Sequence, residues 1–197
     1  MSYTLIIPIH NEEVTIPKLL LELKYFSIDH QILIIDDGST DNSYELLKYC
    51  KYCKVIKLDS NKGKGVAIRK GLAVAKYNKI IIYDGDLELE TNNLEQIMIL
   101  NKDKNINCVF GKRFNKIKPL KSIWDFGNYF LNKVFNFVNR SKVKDSLCCA
   151  ISFYKSDIEI NKLNSRGFDI DIELKSILIK KFNKIHDLRI SYNRRNI

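Results

Sequence analysis

No apolar run in this 197-residue chain approaches the roughly 18 residues that cross a bilayer. No secretory leader precedes the first strand-like segment at Thr4. Linkers, repeats and low-complexity stretches are also missing, so one domain over residues 1–197 is expected. Cysteine is scarce and odd in number: Cys50, Cys53, Cys108, Cys148 and Cys149. Without a leader, that pattern implies reduced thiols in a cytoplasmic protein. Cys50 and Cys53 form a C-x-x-C, but no second pair stands at zinc spacing. The pair also closes a helix, whereas the redox form opens one. His30 and His186 are isolated, and no Ser-His-Asp order or G-x-S-x-G supports hydrolase chemistry. Asn61-Lys62-Gly63-Lys64-Gly65 lacks the full G-x-x-x-x-G-K-[ST], which excludes a P-loop NTPase; its glycines are expected to let the backbone pass close to a nucleotide.

What is present is positive charge, +10 net, and an ordinary 45% apolar content. The charge favours an anionic partner: nucleic acid, an anionic membrane or a phosphorylated substrate. Apolar runs at Thr4–Ile9, Gln31–Ile35, Lys54–Leu58 and Lys79–Tyr83 read as strands covered on both faces. Helical patterns separate them. One follows Thr15 with Pro17 near its start, one covers Ser43–Tyr49 behind Ser39-Thr40-Asp41, and one covers Gly65–Lys76. This alternation predicts an α/β fold with a doubly wound, mostly parallel sheet.

Ligands of such sheets bind at the carboxyl ends of the strands. Those ends read Pro8-Ile9-His10-Asn11-Glu12, Asp36-Asp37-Gly38-Ser39, Asp59 and Asp84-Gly85-Asp86. Acidic residues thus gather on one edge of a basic protein, which argues against nucleic acid as the partner. Asp84 and Asp86, two apart in extended chain, project to one side and suit a hard divalent cation, with Glu88 as a third oxygen donor. Mg²⁺ or Mn²⁺ held there would neutralise charge on a departing diphosphate.

The ordered set Pro8–Glu12, Asp36–Asp41, Asn61-x-Gly63-Lys64-Gly65, Gly71 and Asp84–Glu88 resembles family-two glycosyltransferases of GT-A fold. Phe110–Phe114, Lys144-Asp145-Ser146 with Ile151–Tyr154, Phe168–Glu173, and Ile190–Tyr192 with Arg194-Arg195 are similar to the dolichyl- or polyprenyl-phosphate mannosyl- and glucosyltransferase branch. The resemblance implies a GT-A-like, Rossmann-like sheet flanked by helices. It implies a nucleotide-sugar-binding half (1–90) and an acceptor-side half (91–197). Asp84, Asp86 and Glu88 would bind Mg²⁺ or Mn²⁺. Pro8, His10, Glu12, Ile35, Asp37, Lys64 and Gly85 would line the nucleotide sugar, and Arg113 and Arg194 would meet phosphates. Asp86, Asp145 and Arg113 would be catalytic, with Asp145 an acceptor-side acid or a base toward a hydroxyl.

Two departures are visible. Cys148-Cys149-Ala150 stand where Ser-Gly-Phe is typical, which implies a different acceptor pocket. The sequence reaches Ile197 before the G-x-S-K that usually follows the basic pair, so Lys62 or Lys64 is expected to substitute or activity to fall.

The expected reaction is inverting hexosyl transfer from GDP-mannose or UDP-glucose to a polyprenyl or dolichyl phosphate. The alternatives are a glycan or lipopolysaccharide hydroxyl as acceptor, and a catalytically weak nucleotide-sugar-binding module. Residues 118–140, aromatic and flanked by Lys118, Lys121, Lys133 and Arg140, read either as a peripheral contact with the cytoplasmic membrane face or as a helix packed on the sheet. A partner subunit supplying a membrane anchor is compatible with either.

Overall fold

The computed structural model describes residues 2–113, 123–182 and 184–194. Phe114, Lys118, Lys121, Arg195 and Ile197 lie outside the described residues, as do the side chains of Ile123 and Trp124.

Every residue of β1 (Tyr3–Ile9) is buried, and alternation along the strand divides the core in two. Tyr3, Leu5, Ile7 and Ile9 join one apolar cluster with α1 (Ile16–Phe26), while Ile6 joins another with α3 (Lys64–Val74). The other strands are β2 (Gln31–Asp36), β3 (Cys53–Lys57), β4 (Lys79–Ile82), β5 (Cys108–Lys112), β6 (Ile151–Tyr154) and β7 (His186–Arg189). The remaining helices are α2 (Ser43–Leu47), α4 (Asn93–Ile97), α5 (Ile123–Asn139) and α6 (Ile170–Lys181). The strands form one mixed sheet in the order β3-β2-β1-β4-β6-β5-β7. Neighbours are parallel except at β6, which runs antiparallel to both β4 and β5.

The expected strands and helices of the first half form within a residue or two of their expected bounds. Thr15 precedes α1, but its hydroxyl donates to the Glu12 carbonyl at 3.0 Å instead of capping the helix. Gly71 of α3 lies so close to β1 that a Cβ there would meet Ile6 Cγ2 at 2.5 Å, so helix–strand packing accounts for this glycine.

The expectation of reduced thiols throughout is corrected at Cys50 and Cys53, which form a disulfide with Cα atoms 5.5 Å apart. The reason is local. A turn closed by the Cys50 N–H to Leu47 carbonyl bond, 2.9 Å, folds the end of α2 back to the start of β3. Cys108, Cys148 and Cys149 are free and buried.

Helix α5 divides by face. Phe135 is buried in the core, whereas Phe126, Phe130, Phe137 and Val138 are exposed, Phe137 at 86%. Among the described residues no helix is long and apolar enough to cross a membrane.

Candidate functional site: a donor cleft opening into a charged chamber

The loops that leave β1, β2 and β4 at their carboxyl ends enclose a cleft of about 270 Å³. Pro8, Ile9, His10, Glu12, Asp37, Asn61, Gly63, Lys64, Asp84, Gly85, Asp86, Gly167 and Phe168 line it. A second space of about 590 Å³ shares Lys64, Asp84, Asp86 and Phe168 with the first. It adds Glu88, Arg113, Asn128, Leu131, Cys149, Asp171 and Tyr192. The two therefore meet at the Asp84–Asp86 segment.

The first wall is fixed by backbone capture. Asp36 Oδ1 accepts the Ser39 N–H at 2.8 Å, tightening the turn after β2. Asp37 Oδ1 accepts the Lys62 N–H and Oδ2 the Gly63 N–H, each at 2.8 Å. Asp37 thus holds the 61–65 loop with both oxygens, a duty that its expected ribose or base contact did not anticipate. His10 Nδ1 lies 2.9 Å from the Asp37 carbonyl, so it donates there and the ring is oriented at the cleft wall. Glu12 lies in the turn before α1, where its Oε2 accepts the Thr15 hydroxyl at 2.8 Å.

Gly63 and Gly65 have a packing reason beside their expected closeness to a nucleotide, and Gly63 lines the cleft. Gly63 has φ +95°, and a Cβ there would come within 2.3 Å of the Arg166 carbonyl oxygen. At Gly65 a Cβ would lie 2.2 Å from the Ser165 carbonyl oxygen, and its N–H donates to the Arg166 carbonyl at 2.7 Å. These glycines bring the loop against the 165–167 segment.

That contact sets Lys64 opposite α6. Its Nζ lies 2.7 Å from Asp84 Oδ1, 3.0 Å from Asp84 Oδ2 and 2.8 Å from Asp171 Oδ2. Burial works to lower its pKa, but the charges of Asp84 and Asp171 outweigh it, so the ammonium is held protonated. Asp171 is pushed upward, first by burial and then by Asp84, against the opposing pull of Lys64. Asp171 Oδ1 is buried without a hydrogen-bond partner, while Asp84 Oδ1 meets the Lys64 ammonium. Asp86 Oδ1 accepts the Glu88 N–H at 3.0 Å.

Among the described residues no three His, Cys, Asp or Glu side chains converge as a ready metal cluster. Asp84 and Asp86 nevertheless supply carboxylate oxygens on one edge, one of them buried against the Lys64 ammonium. Such a pair fits a hard divalent cation whose other positions are filled by substrate phosphate and water.

The far wall is built on charge pairing. Arg113 Nε and Nη2 donate to Asp145 Oδ2 and Oδ1 at 2.9 and 3.0 Å, and the Arg113 N–H donates to Oδ2 at 3.0 Å. Lys175, fully buried, donates to the carbonyls of Asp145, Ser146 and Cys148 at 3.1, 3.1 and 2.6 Å. Burial tends to raise the Asp145 carboxyl, yet the Arg113 bonds and charge hold it below the usual carboxylate range. At 2% exposure and fully paired, it is not placed to act as a base, contrary to expectation. Arg113 does line the chamber, its position fixed by Asp145.

Three further expected residues are displaced. Ile35 is buried in the core on the α3 and α6 side and lines no part of the cleft. Arg194 is half-exposed, 3.9 Å from Asp125, and lines neither space. The Asp59 side chain is fully exposed outside the cleft. Asp171 and Lys175 were missed; Phe168–Glu173 stood out as a segment, but no local signal marks which residue turns inward.

The comparisons with known proteins follow this geometry. The glycosyl transferase family 2 model matches residues 4–158. An uncharacterized protein of Methanocaldococcus jannaschii is 29% identical over 95% of this chain and 90% of its own length. Glycosyltransferase AglJ of Haloferax volcanii is 27% identical over 85% of this chain, and the dolichol-phosphate mannosyltransferase of Pyrococcus furiosus 25% over 98%. The chain spans about half the length of those two, 55% and 56%. Glucosyl-3-phosphoglycerate synthase from Mycobacterium tuberculosis superposes with a TM-score of 0.77 over 99% of this chain and 72% of that one, at 15% identity. Another structure of the same enzyme contains Mn²⁺ and UDP-glucose (TM-score 0.74, 100% of this chain and 72% of that one). This likeness gives the fold as GT-A. Since the matched region runs from the first strand through β6 and contains the strand-end acids that frame the cleft, the chain belongs to glycosyl transferase family 2.

Proposed function

We propose that this glycosyltransferase moves a hexosyl group from a nucleoside-diphosphate sugar to a polyprenyl or dolichyl phosphate with inversion. The supporting observation is the junction of the two spaces at Asp84 and Asp86, which sets a donor cleft and an acceptor chamber on either side of one carboxylate pair. GDP-mannose and UDP-glucose are the donors to try first.

Pro8, His10, Glu12 and Asp37 would border the nucleotide, with Asp84, Asp86 and Glu88 available to Mg²⁺ or Mn²⁺. A bound divalent cation supplies Lewis-acid stabilisation of the departing diphosphate. Asp86 would help hold that cation beside the diphosphate, and Arg113, fixed by Asp145, would receive the acceptor phosphate from the chamber side. The acceptor oxygen forms its bond to the anomeric carbon as the bond to the diphosphate breaks, and the electron pair leaves with the nucleotide. An acceptor that is already anionic needs no base.

A glycan hydroxyl is the second reading, favoured by one feature. Asp171 lines the chamber with its carboxyl pushed up by burial, the property of a base toward a neutral acceptor. The exposed aromatics of α5 beside Lys133 and Arg140 would bring the chamber, which Leu131 of the same helix lines, to a lipid surface.

The test incubates protein with Mn²⁺ or Mg²⁺, polyprenyl phosphate and labelled GDP-mannose or UDP-glucose in parallel. Metal-dependent label in the organic phase is the expected result. Donor binding without lipid label refutes the lipid acceptor, and absence of binding by either donor refutes these donor assignments.

A further inference from the structure

We propose that Lys64 is an internal counter-cation that holds Asp84 in the resting cleft, gives up that carboxylate to a divalent cation, and then turns to the donor diphosphate. This rests on the metal reading above. The lysine is seated by backbone, since the Gly65 N–H bond to the Arg166 carbonyl fixes its loop against α6. One ammonium, 7% exposed at its side chain, serves both Asp84 and Asp171.

The neutralisation is incomplete. Asp171 keeps a buried oxygen with no hydrogen-bond partner, and Asp86 and Glu88 bring further carboxylates to the same lining. Asp84 shares its one ammonium with Asp171, so the charge of the pair is only partly offset and stays attractive to a second cation. Asp84 cannot serve both closely. The ammonium lies 2.7 Å from its Oδ1, and a divalent cation would bind at about 2.0–2.6 Å. Two cations sharing that carboxylate would stand only a few ångströms apart and repel strongly where water is scarce.

Of the two partners, Lys64 is the one that moves. Asp84 follows directly on β4 in the middle of the sheet, whereas the lysine ends a flexible four-carbon stem. Asp171 retains it during the swing. Because Lys64 lines both cleft and chamber, its new position still faces the diphosphate. Divalent cation and donor therefore reinforce each other's binding, and cation binding without donor is opposed by the lysine.

The test is calorimetric titration of Mn²⁺ alone, without donor, into the whole chain and its variants. Lys64→Met should bind Mn²⁺ about tenfold more tightly than the parent, and Lys64→Arg should stay near it. Lys62→Met removes a charge next door without touching Asp84 and should change affinity less than about twofold. Asp86→Asn should lose binding. Unchanged or weaker Mn²⁺ binding by Lys64→Met, with Asp86→Asn still defective, overturns the lysine proposal alone. Unchanged binding by Asp86→Asn overturns the metal reading itself. A second measurement needs no variant that might misfold. In lysine-¹⁵N-labelled native protein, the buried Lys64 ammonium resonance should shift saturably with Mg²⁺ alone; an unmoved resonance overturns the proposal.

Discussion

Lys64 and Lys175 are both buried lysines on helices that border the same chamber, α3 and α6. Lys64 meets two carboxylates and faces the cleft; Lys175 meets three backbone carbonyls and lines neither space. Lys175, with the Arg113–Asp145 pair, pins residues 145–148 as a wall in which the Asp145 carboxylate and three backbone carbonyls are paired, the Ser146 hydroxyl alone staying buried without a partner. Around Lys64 the polar groups are left partly unsatisfied, as expected where a ligand completes the set. Burial and charge alone do not separate a structural lysine from a functional one. The partners do: carboxylates at a cleft for one, backbone carbonyls inside a wall for the other.

The largest effect that sharpens this contrast belongs to the cleft. Asp86→Asn should lower glycosyl transfer by about 10³-fold while the melting temperature hardly moves, since electrostatic stabilisation of a leaving group carries that much. Metal-supplemented transfer assays paired with thermal melts check it. Loss of activity matched by loss of fold would erase the distinction between the two regions.

On the opposite wall the effect should be on stability. Asp145→Ala leaves the Arg113 guanidinium buried without its partner and should cost about 3–5 kcal/mol in urea denaturation. An equal penalty for Asp86→Asn would break the comparison.

The wall should also carry an acid signature. The Asp145 carboxyl is lowered in the fold, so its contribution is complete above the unfolded value of about 3.9. It is lost as pH falls through the lower folded value. The stability gap between the parent and Asp145→Asn, followed by urea denaturation across pH, should therefore be constant near neutrality and shrink below about pH 4. A gap that widens on acidification would contradict the pairing.

Smaller still is the disulfide at the far side of β3. It closes a short loop, so Cys50→Ser should cost no more than about 2 kcal/mol and leave transfer unchanged. Denaturation under oxidising conditions measures it. A loss of transfer would couple this edge to the cleft.

Much of this contrast was legible before the structure. The first four strands announced themselves because each is an Ile- and Leu-rich run buried on both faces, and the acids at their ends fell where parallel sheets place ligands. β7 gave no such signal, because His186-Asp187-Leu188-Arg189 holds one apolar residue and sits at the sheet edge beside β5. The family resemblance implies Ile35 in the cleft, yet alternation turns it into the core on the opposite face from Ile34. The Lys64–Asp171 contact joins residues 107 apart, and nothing in either segment names the other. Asp145 was visible as a motif acid, but its saturation by Arg113 depends on the third dimension.

The tight seat of the 61–65 loop on residues 165–167 also has a consequence in time. During synthesis the strands that carry Asp84 and Asp86 emerge long before α6 does, so the early sheet can collapse while its cleft still lacks a back wall. Contacts of such sequence separation are costly to close and form late. The site therefore matures only after α6 has emerged, and a shorter nascent chain that already holds Asp84 and Asp86 still lacks this wall.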